Sequence, residues 1–302
     1  MYEGLVEQFR EYTVVLQPDQ DTSEWWAGAP SVLRTEEGTF FLAARMREGV
    51  SPRGRRGYEV RLLESGDGRN FRPIRSIKRE DIPIAGFERP VLVREPKTGA
   101  FRLYLCGPQE HGWGILKLED ADHPSRFDPA TAHPVLVASP PERDFAQVLG
   151  YKDPFVFWDG ERWHLYVIGT DRVERTHHFT SSDGEEWAPD PRNPVLDVGG
   201  WHNFYTRPAC ALPDGVGYLF VYEGSHLSWR DPVYNIATGL AYTLDLSHMT
   251  DLTPSAPLLK STTPGNYHTW RYSHWLRVGD RIFVYAEVAR PNNTNEIRLF
   301  VL

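Results

Sequence analysis

A five-fold internal repeat of about sixty residues constrains the fold of this 302-residue chain more than any other feature of its sequence. In each copy, a short apolar strand is followed by a glycine turn and an aromatic-rich strand. Proline starts the first strand in four copies, at Pro30, Pro90, Pro154 and Pro208. Proline is tolerated there because the first residue of a strand donates no interior ladder hydrogen bond. A repeat of this period indicates structural units that bury their apolar faces against one another.

The fifth copy lacks the proline but keeps the pattern, with a strand at residues 273–276, a turn at Gly279 and a second strand at residues 282–285. Each copy leaves room for a further strand pair before the next, as a four-stranded propeller blade requires. The sequence therefore predicts an all-β, five-bladed β-propeller that forms a single domain over residues 1–302. The alternative is a β-sandwich in which the proline spacing is coincidental. The predicted blades span roughly residues 25–80, 85–140, 148–198, 203–260 and 268–302, with an N-terminal strand at 11–17 that would close the ring.

Two copies of one turn motif support the same fold. Residues 65–71 read Ser-Gly-Asp-Gly-Arg-Asn-Phe, and residues 181–187 read Ser-Ser-Asp-Gly-Glu-Glu-Trp. The Asp-Gly pair supplies the positive φ that tight hairpin turns need, and the aromatic residue can pack back between neighbouring sheets. The motif resembles the Asp-box turns of β-propellers, whose role is structural. We therefore assign no chemistry to Asp67 or Asp183.

Charge and composition exclude several classes of partner. The formal net charge of −8 disfavours nucleic acid and anionic membranes. No apolar stretch approaches the ~18 residues that a membrane span needs, and residues 1–12 contain no apolar leader segment. We therefore expect a cytoplasmic protein with no nucleic-acid or membrane partner. The two cysteines, Cys106 and Cys210, lie in apolar strands and are expected to be buried free thiols.

The middle of the chain resembles a blade of the five-bladed glycosidases. Residues 151–157 read Tyr-Lys-Asp-Pro-Phe-Val-Phe and are followed by Asp159-Gly160 and an aromatic strand at residues 163–166. Glycoside hydrolase families 43 and 32 open a blade with an Asp-Pro of this kind. In these families the aspartate lies at the pocket end of the innermost strand, where it tunes pKa values or steadies the transition state. The resemblance implies that role for Asp153.

The last hundred residues are similar to glycoside hydrolase family 130, the mannoside phosphorylases and related hydrolases. The residues that carry this likeness are 218–224 (Tyr-Leu-Phe-Val-Tyr-Glu-Gly), 234–239 (Tyr-Asn-Ile-Ala-Thr-Gly) and 244–246 (Leu-Asp-Leu). The two resemblances together imply an oligosaccharide or glycoside substrate. The second one adds inorganic phosphate as a candidate co-substrate.

The sequence departs from both family patterns at the catalytic positions. Family 43 has a general-base aspartate where this chain has Ala29, and an acid glutamate where this chain has Thr206-Arg207. Family 130 has a Glu-Asp pair before the second-blade strand, where this chain has Glu88-Arg89 with one carboxylate only. Of the family 43 set, only Asp153 is present in register.

Residues at the starts of the innermost strands of a propeller converge on its axis, so they share one funnel. Glycoside cleavage needs two carboxyl groups, one protonated near the leaving oxygen and one ionised. Our hypothesis assigns Glu88 as the proton donor, Asp153 as the base or pKa tuner, and Glu223 as a sugar-hydroxyl acceptor or second acid/base. The structural alternatives are a salt bridge from Glu88 to Arg89, an ion pair of Asp153 with Lys152, and a turn cap at Glu223.

Basic and aromatic side chains complete the predicted pocket. Guanidinium groups match carboxylate and phosphate oxygens, so either the ligand is anionic or these cations neutralise the acids. Flat aromatic faces can stack on sugar rings or pack the core. His274 is either a satisfied inner-strand histidine or, as in family 43, a neighbour of an axial ion held through water; no other cofactor and no metal-ligand set is predicted. The predicted substrate-binding residues are Trp26, Arg45, Arg47, Arg89, Lys152, Trp201, Arg207, Trp270 and His274, with Trp25, Tyr205 and Trp229 as further stacking candidates.

The sequence thus predicts a glycosidase, either a hydrolase or a phosphorylase, that uses carboxylate acid/base catalysis in an axial, arginine-rich pocket. Two other functions stay open. One is a propeller that binds carbohydrate without catalysis, which the missing blade-one aspartate favours. The other is a sialidase-like enzyme that holds an anionic sugar through arginines, against which the count of five repeats rather than six argues.

Overall fold

The computed structural model describes residues 3–49, 57–109, 112–138, 149–228, 236–261, 263 and 268–302; Trp229 and the first two residues of the 234–239 motif lie outside them. Strands dominate the described residues, which confirms the all-β prediction. Within the same ranges no helix is long and apolar enough to cross a membrane. Cys106 and Cys210 are buried and unpaired. The helical segments are α1 (Glu3–Glu7) and 3₁₀ turns at Gln8–Arg10, Arg79–Asp81, Pro124–Arg126 and Pro129–Thr131.

The strands of the described residues, numbered β1 to β20 along the chain, lie in three sheets of eight, eight and four strands. Within these sheets the antiparallel pairs form five consecutive units of four strands, and short parallel contacts join β20 to β2 and β12 to β14. The first unit contains β2 (Trp26–Arg34), β3 (Phe40–Arg47), β4 (Gly57–Ser65) and β5 (Arg72–Lys78). The second contains β6 (Val91–Arg94), β7 (Phe101–Gln109), β8 (Gly112–Lys117) and β9 (His133–Val137). The third contains β10 (Gly150–Trp158), β11 (Trp163–Thr170), β12 (Glu174–Ser181) and β13 (Ala188–Pro189). The fourth contains β14 (Tyr205–Asp214), β15 (Gly217–Ser225), β16 (Ala237–Thr243) and β17 (Thr250–Asp251). The fifth contains β18 (Trp270–Val278), β19 (Arg281–Ala289), β20 (Asn295–Val301) and, at its edge, β1 (Thr13–Leu16).

The first strands of the units contact one another in a closed circuit. β2 contacts β6, β6 contacts β10, β10 contacts β14, β14 contacts β18, and β18 contacts β2. The N-terminal strand also joins the two ends of the chain, because β1 pairs antiparallel with β20, with Thr13 opposite Leu299. The starts of the five first strands are therefore neighbours, although they lie about sixty residues apart in sequence.

A backbone irregularity recurs at the same place in three first strands. Ala29, Asp153 and Tyr272 have φ values of 50°, 51° and 52°, and the strand register shifts beside each of them. Left-handed conformations of non-glycine residues cost about 1–3 kcal/mol and persist where a bulge re-aims a side chain. Here the bulges in the third and fifth units bring Asp153 and Tyr272 within hydrogen-bond distance of each other.

Tyrosines on middle strands join neighbouring units through buried hydrogen bonds. Tyr104 of the second unit donates its hydroxyl hydrogen to the Gly184 carbonyl of the third unit at 2.9 Å. Tyr285 of the fifth unit donates to the Gly68 carbonyl of the first at 2.7 Å. Both glycines belong to the repeated Asp-Gly turns, where their φ values of 78° and 70° require glycine. The repeated turn motif therefore docks one unit onto the next.

We expect the substitution Tyr104→Phe to destabilise the protein by about 1–3 kcal/mol, because it leaves the Gly184 carbonyl without its buried donor. Tyr242→Phe is the matched control, since Tyr242 donates to the Asp214 carbonyl at the surface within one unit. Its expected effect is below about 0.5 kcal/mol. Chemical denaturation measures the free energy of unfolding of the two variants. Equal losses of stability would contradict the conclusion that the Tyr104 hydrogen bond joins two units.

Candidate active site

A buried carboxylate, Glu287 on β19, holds together the cluster at the junction of the first and fifth units. Its Oε1 accepts hydrogen bonds from Arg271 Nε at 2.9 Å, Arg271 Nη2 at 2.8 Å and Asn295 Nδ2 at 2.7 Å. Its Oε2 accepts from Arg45 Nη2 at 3.0 Å and from the Ala29 N–H at 2.9 Å. Burial would raise the pKa of Glu287, but the two guanidinium groups outweigh burial and lower it. Glu287 therefore remains ionised and fixes both arginines in place.

Glu88, which the sequence suggested as the proton donor, forms an ion pair with Arg45. The Arg45 side chain is fully buried, whereas the Glu88 side chain remains 12% exposed. Burial opposes the charge of Arg45, but Glu287 and Glu88 raise its pKa above the ordinary value. A guanidinium in contact favours the ionised form of a carboxyl group. In this arrangement Glu88 is a carboxylate, which suits a base better than a proton donor.

Asp153 is positioned by Tyr272, a residue that the sequence did not single out. The Tyr272 hydroxyl donates to Asp153 Oδ2 at 2.9 Å, and the Arg89 N–H donates to Oδ1 at 3.4 Å. Burial raises the pKa of Tyr272 well above its ordinary value, so the phenol keeps its proton. The guanidinium carbons of Arg271 and Arg45 lie 4.8 Å and 5.4 Å from the centre of the Tyr272 ring. Tyr272 thus connects Asp153 with the two arginines of the Glu287 cluster.

Arg89 reaches from the second unit to the fourth. Its Nη1 donates to the Pro208 carbonyl at 2.9 Å, and its Nη2 donates to the Ala209 carbonyl at 2.5 Å. Burial lowers the pKa of this fully buried arginine. Both terminal nitrogens of this guanidinium bind backbone, and its contact with a ligand stays a prediction. The salt bridge from Glu88 to Arg89, which was the structural alternative, does not form, because Glu88 pairs with Arg45.

Glu223 has the environment of a proton donor. The side chain is buried, and its Oε1 accepts the Ser273 N–H at 2.9 Å. Its Oε2 has no hydrogen-bond partner among the described residues. Burial raises the pKa of Glu223 to about 7, against the opposing effect of Arg89. Burial therefore lets Glu223 hold a proton near neutral pH.

Lys152 and Arg207 form an ion triad with Glu174, which the sequence did not reveal. Lys152 Nζ contacts Glu174 Oε1 at 2.7 Å, and Arg207 Nε bonds to Oε2. Burial would raise the pKa of Glu174, but Arg207 and Lys152 together lower it. The ion-pair partner of Lys152 is therefore Glu174 of the same unit, and not Asp153 as in the structural alternative. The triad joins the third unit to the fourth.

Three tryptophans predicted to bind substrate are buried. Trp26 is completely inaccessible, and the guanidinium carbons of Arg47 and Arg271 lie 3.8 Å and 4.8 Å from the centre of a ring that solvent cannot reach. Trp201 and Trp270 belong to the largest apolar cluster of the core, with 6% and 4% of their surfaces exposed. The stacking of these three rings on a sugar stays a prediction. Trp26 and Trp270 are the first residues of β2 and β18.

His274 lies on β18 beside Phe155, with 6.0 Å between the two ring centres. Burial, reinforced by Arg89, lowers the pKa of His274 to about 3, so the imidazole is neutral. Its Nδ1 has no hydrogen-bond partner in the part of the chain that the structure describes. Over the same residues no three His, Cys, Asp or Glu side chains converge to hold a metal ion. The axial ion near His274 stays a prediction.

The pairing register of the strands would have identified Glu287 as a candidate site residue. Glu287 faces Arg271 across β18 and β19, just as Glu223 faces Arg207 across β14 and β15. The two glutamates therefore occupy corresponding positions in the fourth and fifth copies of the repeat. Aligning the copies by strand register, rather than by their prolines, would have placed both among the candidates.

Solved structures share this fold. A structure named as a glycoside hydrolase aligns with a TM-score of 0.76 at 15% identity, over 100% of this chain and 95% of its own. The β-1,2-mannobiose phosphorylase of Listeria innocua, in complex with β-1,2-mannobiose, aligns with a TM-score of 0.68 at 13% identity, over 95% and 94% of the two chains. A thermostable family-43 glycoside hydrolase gives 0.63 at 14% identity, over 91% and 88%.

These likenesses confirm, at the level of the fold, the predicted resemblance to the β-propeller glycosidases. No family model matches the sequence. No curated protein matches it either. The chain therefore has the fold of these enzymes at sequence identities of 13–15%.

We expect Glu287→Gln to lower the free energy of unfolding by about 3–5 kcal/mol, because it leaves Arg45 and Arg271 buried without their shared counter-ion. Glu64→Gln is the control. It removes a carboxylate that pairs with the exposed Arg72, and should cost less than about 1 kcal/mol. Urea denaturation measures both variants. Similar small losses would show that Glu287 does not organise the cluster.

Proposed function

We propose that the five units are the blades of a five-bladed β-propeller over residues 1–302, and that the chain cleaves a glycosidic bond by carboxylate acid/base catalysis. The observation that carries the catalytic part is the contrast between Glu223 and Glu88. Glu223 is buried with a pKa of about 7, whereas Glu88 pairs with Arg45. Glycoside cleavage needs one protonated and one ionised carboxyl group, and environments that separate two pKa values assign those roles.

In the proposed mechanism Glu223 gives its proton to the glycosidic oxygen as the bond to the anomeric carbon breaks. This reverses the assignment made from sequence, where Glu88 was the donor. The reason is electrostatic, since Arg45 stabilises ionised Glu88 and burial stabilises protonated Glu223. The Oε2 atom of Glu223 is the oxygen that remains available to carry the proton, because Oε1 accepts from Ser273.

Glu88 and Asp153 take the two remaining roles. The Glu88 carboxylate, which is partly exposed, stabilises the positive charge that develops at the anomeric carbon and accepts a proton from an attacking water. Asp153 is held by Tyr272 and by the Arg89 N–H, and acts on the pKa of its neighbours rather than on the sugar. This is the role that the family 43 resemblance implies for it.

The attacking group is water in a hydrolase and inorganic phosphate in a phosphorylase. The likeness to a mannobiose phosphorylase supports phosphate as a co-substrate. The axial ion near His274 also belongs to this proposal, since Nδ1 can accept a hydrogen bond from an ion-bound water. Cleavage assays with and without phosphate separate the two reactions.

A carbohydrate-binding propeller without catalysis is the second candidate. Two observations favour it. Ala29 stands where family 43 has its general base, and Glu223 is 1% exposed. Binding without turnover, measured on the same panel of oligosaccharides, would support this candidate and exclude the first.

We expect Asp153→Asn and Glu223→Gln each to abolish turnover while leaving the fold intact, with losses of at least about 100-fold in kcat. The assay follows release of the leaving group from a panel of aryl glycosides and oligosaccharides, with and without phosphate. Glu64→Gln, far from the site at the rim of the first unit, should retain full activity. Substantial activity in either active-site variant on the true substrate would refute the role of that residue.

The raised pKa of Glu223 also predicts a pH dependence of stability that needs no substrate. Between pH 4.5 and 7 the unfolded chain ionises this carboxyl group while the folded chain keeps its proton, so folding is progressively disfavoured. The wild type should therefore lose about 3 kcal/mol relative to Glu223→Gln as the pH rises through this window. Denaturation curves of both proteins at several pH values measure the difference, and a constant difference would contradict the raised pKa.

A further inference from the structure

A second polar site lies at the opposite ends of the strands that carry the candidate active site. A cleft of about 600 Å³ separates parts of the third and fourth units, and its walls include Asp159, His164, His178, Asp190 and Tyr218. Asp159 follows the end of β10, the strand whose beginning carries Asp153. Tyr218 begins β15, the strand whose end carries Glu223. The cleft is thus separate from the three carboxyl groups of the proposed mechanism.

Four of these residues form one linear chain of contacts, which we call the Asp159–Asp190 array. His164 Nε2 lies 2.9 Å from Asp159 Oδ2, and His178 Nδ1 lies 3.0 Å from Asp190 Oδ2. Between the rings, His164 Nδ1 lies 2.9 Å from His178 Nε2. The two ring planes differ by only 1°, which suits an in-plane N–H···N hydrogen bond. Both imidazoles are buried, with 4% and 2% of their surfaces exposed.

The array needs three ring protons. An ionised carboxylate only accepts hydrogen bonds, so His164 must direct one N–H at Asp159 and His178 must direct one at Asp190. The contact between the rings requires a third N–H, because two facing lone pairs would repel. Two neutral imidazoles carry two ring protons in total. All three contacts can therefore be hydrogen bonds only when one histidine is an imidazolium.

The carboxylates at both ends are ionised, which makes them acceptors. Burial would raise the pKa of Asp159, but the N–H groups of Arg162 and Glu161 and the His164 ring lower it. Burial would likewise raise the pKa of Asp190, but Ser247, the Arg192 N–H and the His178 ring lower it.

Opposing effects act on the pKa values of the His164 and His178 rings. Burial outweighs the effect of Asp159 and lowers the pKa of His164. Burial, together with the charge of His164, lowers the pKa of His178 to about 4, against the opposing effects of Asp190 and the nearby Asp245. The other groups that face the array are Arg162, Arg192 and Glu161 at the rim, Tyr218 across the cleft, the Tyr166 ring 4.5 Å from His178 and the Phe157 ring 5.2 Å from His164.

We infer that Asp159, His164, His178 and Asp190 together form a binding site for one extra proton, shared between the two imidazoles. This inference does not depend on the proposed glycosidase function. The array reaches the fourth unit, because Ser247 of the turn after β16 donates to Asp190 Oδ2 and Arg192 Nη1 donates to Ser247 Oγ at 3.0 Å. Loss of the extra proton breaks one of the three hydrogen bonds, so the proton strengthens the contact between the third and fourth units.

Asp190→Asn is the decisive variant. An asparagine amide can donate to His178 Nδ1, so the three contacts become hydrogen bonds with two neutral imidazoles and no extra proton. The same amide can also face Ser247 Oγ, and the side-chain carbonyl can still accept the Arg192 N–H that now bonds to Asp190. The variant therefore keeps the geometry and removes the need for the proton.

The test uses nuclear magnetic resonance of the full chain labelled with ¹⁵N in histidine, with the two rings assigned from His164→Gln and His178→Gln. In the wild type we expect three ring N–H groups on His164 and His178 at acidic pH, with one lost as the pH rises. Asp190→Asn should show two ring N–H groups throughout. Two ring N–H groups in the wild type at every pH at which the protein stays folded would overturn the inference.

Discussion

The buried carboxylate of Glu287 is the interaction on which the candidate site depends. It accepts five hydrogen bonds from four residues, which come from β2, β3, β18 and β20. Removing a charge from water is expensive, and the cost is recovered only when every lone pair finds a well-placed donor. Glycine is required beside it, since a Cβ at Gly28 would lie 1.8 Å from Glu287 Oε2. Gly28 thus leaves the space that the Glu287 carboxylate occupies at the junction of the first and fifth units.

Comparison of Glu287 with Glu223 explains how one cluster contains both an ionised and a protonated carboxyl group. Both side chains are fully buried, so desolvation raises the pKa of each. Glu287 receives hydrogen bonds from two guanidinium groups, an amide and a backbone N–H, which reverse the effect. Glu223 receives one backbone N–H on Oε1, and its pKa stays near 7. The number of donors, rather than burial, therefore separates the two glutamates. Acid/base chemistry at neutral pH requires such a separation.

The sequence predicted the strands well because local signals mark them. Pro30, Pro154 and Pro208 lie inside three of the first strands rather than at their starts, where the sequence predicted them, and each lies at a register shift where proline is tolerated. The Asp-Gly pairs mark the turns that dock onto neighbouring tyrosines. Asp153 was found because it precedes such a proline. Tyr272 was missed because its importance comes from a contact between units, which no local pattern records. Glu287 was missed because the copies of the repeat were aligned by their prolines rather than by strand register. Position along the chain does not distinguish a ring that packs in the core, as Trp201 and Trp270 do, from one that lines a pocket.

The most direct test of the account is a crystal structure of the Asp153→Asn variant with the oligosaccharide that the wild type cleaves. The account predicts that the glycosidic oxygen lies within hydrogen-bond distance of Glu223 Oε2, with the Glu88 carboxylate near the anomeric carbon. A sugar bound away from both glutamates, or a glycosidic oxygen that contacts another acid, would contradict it.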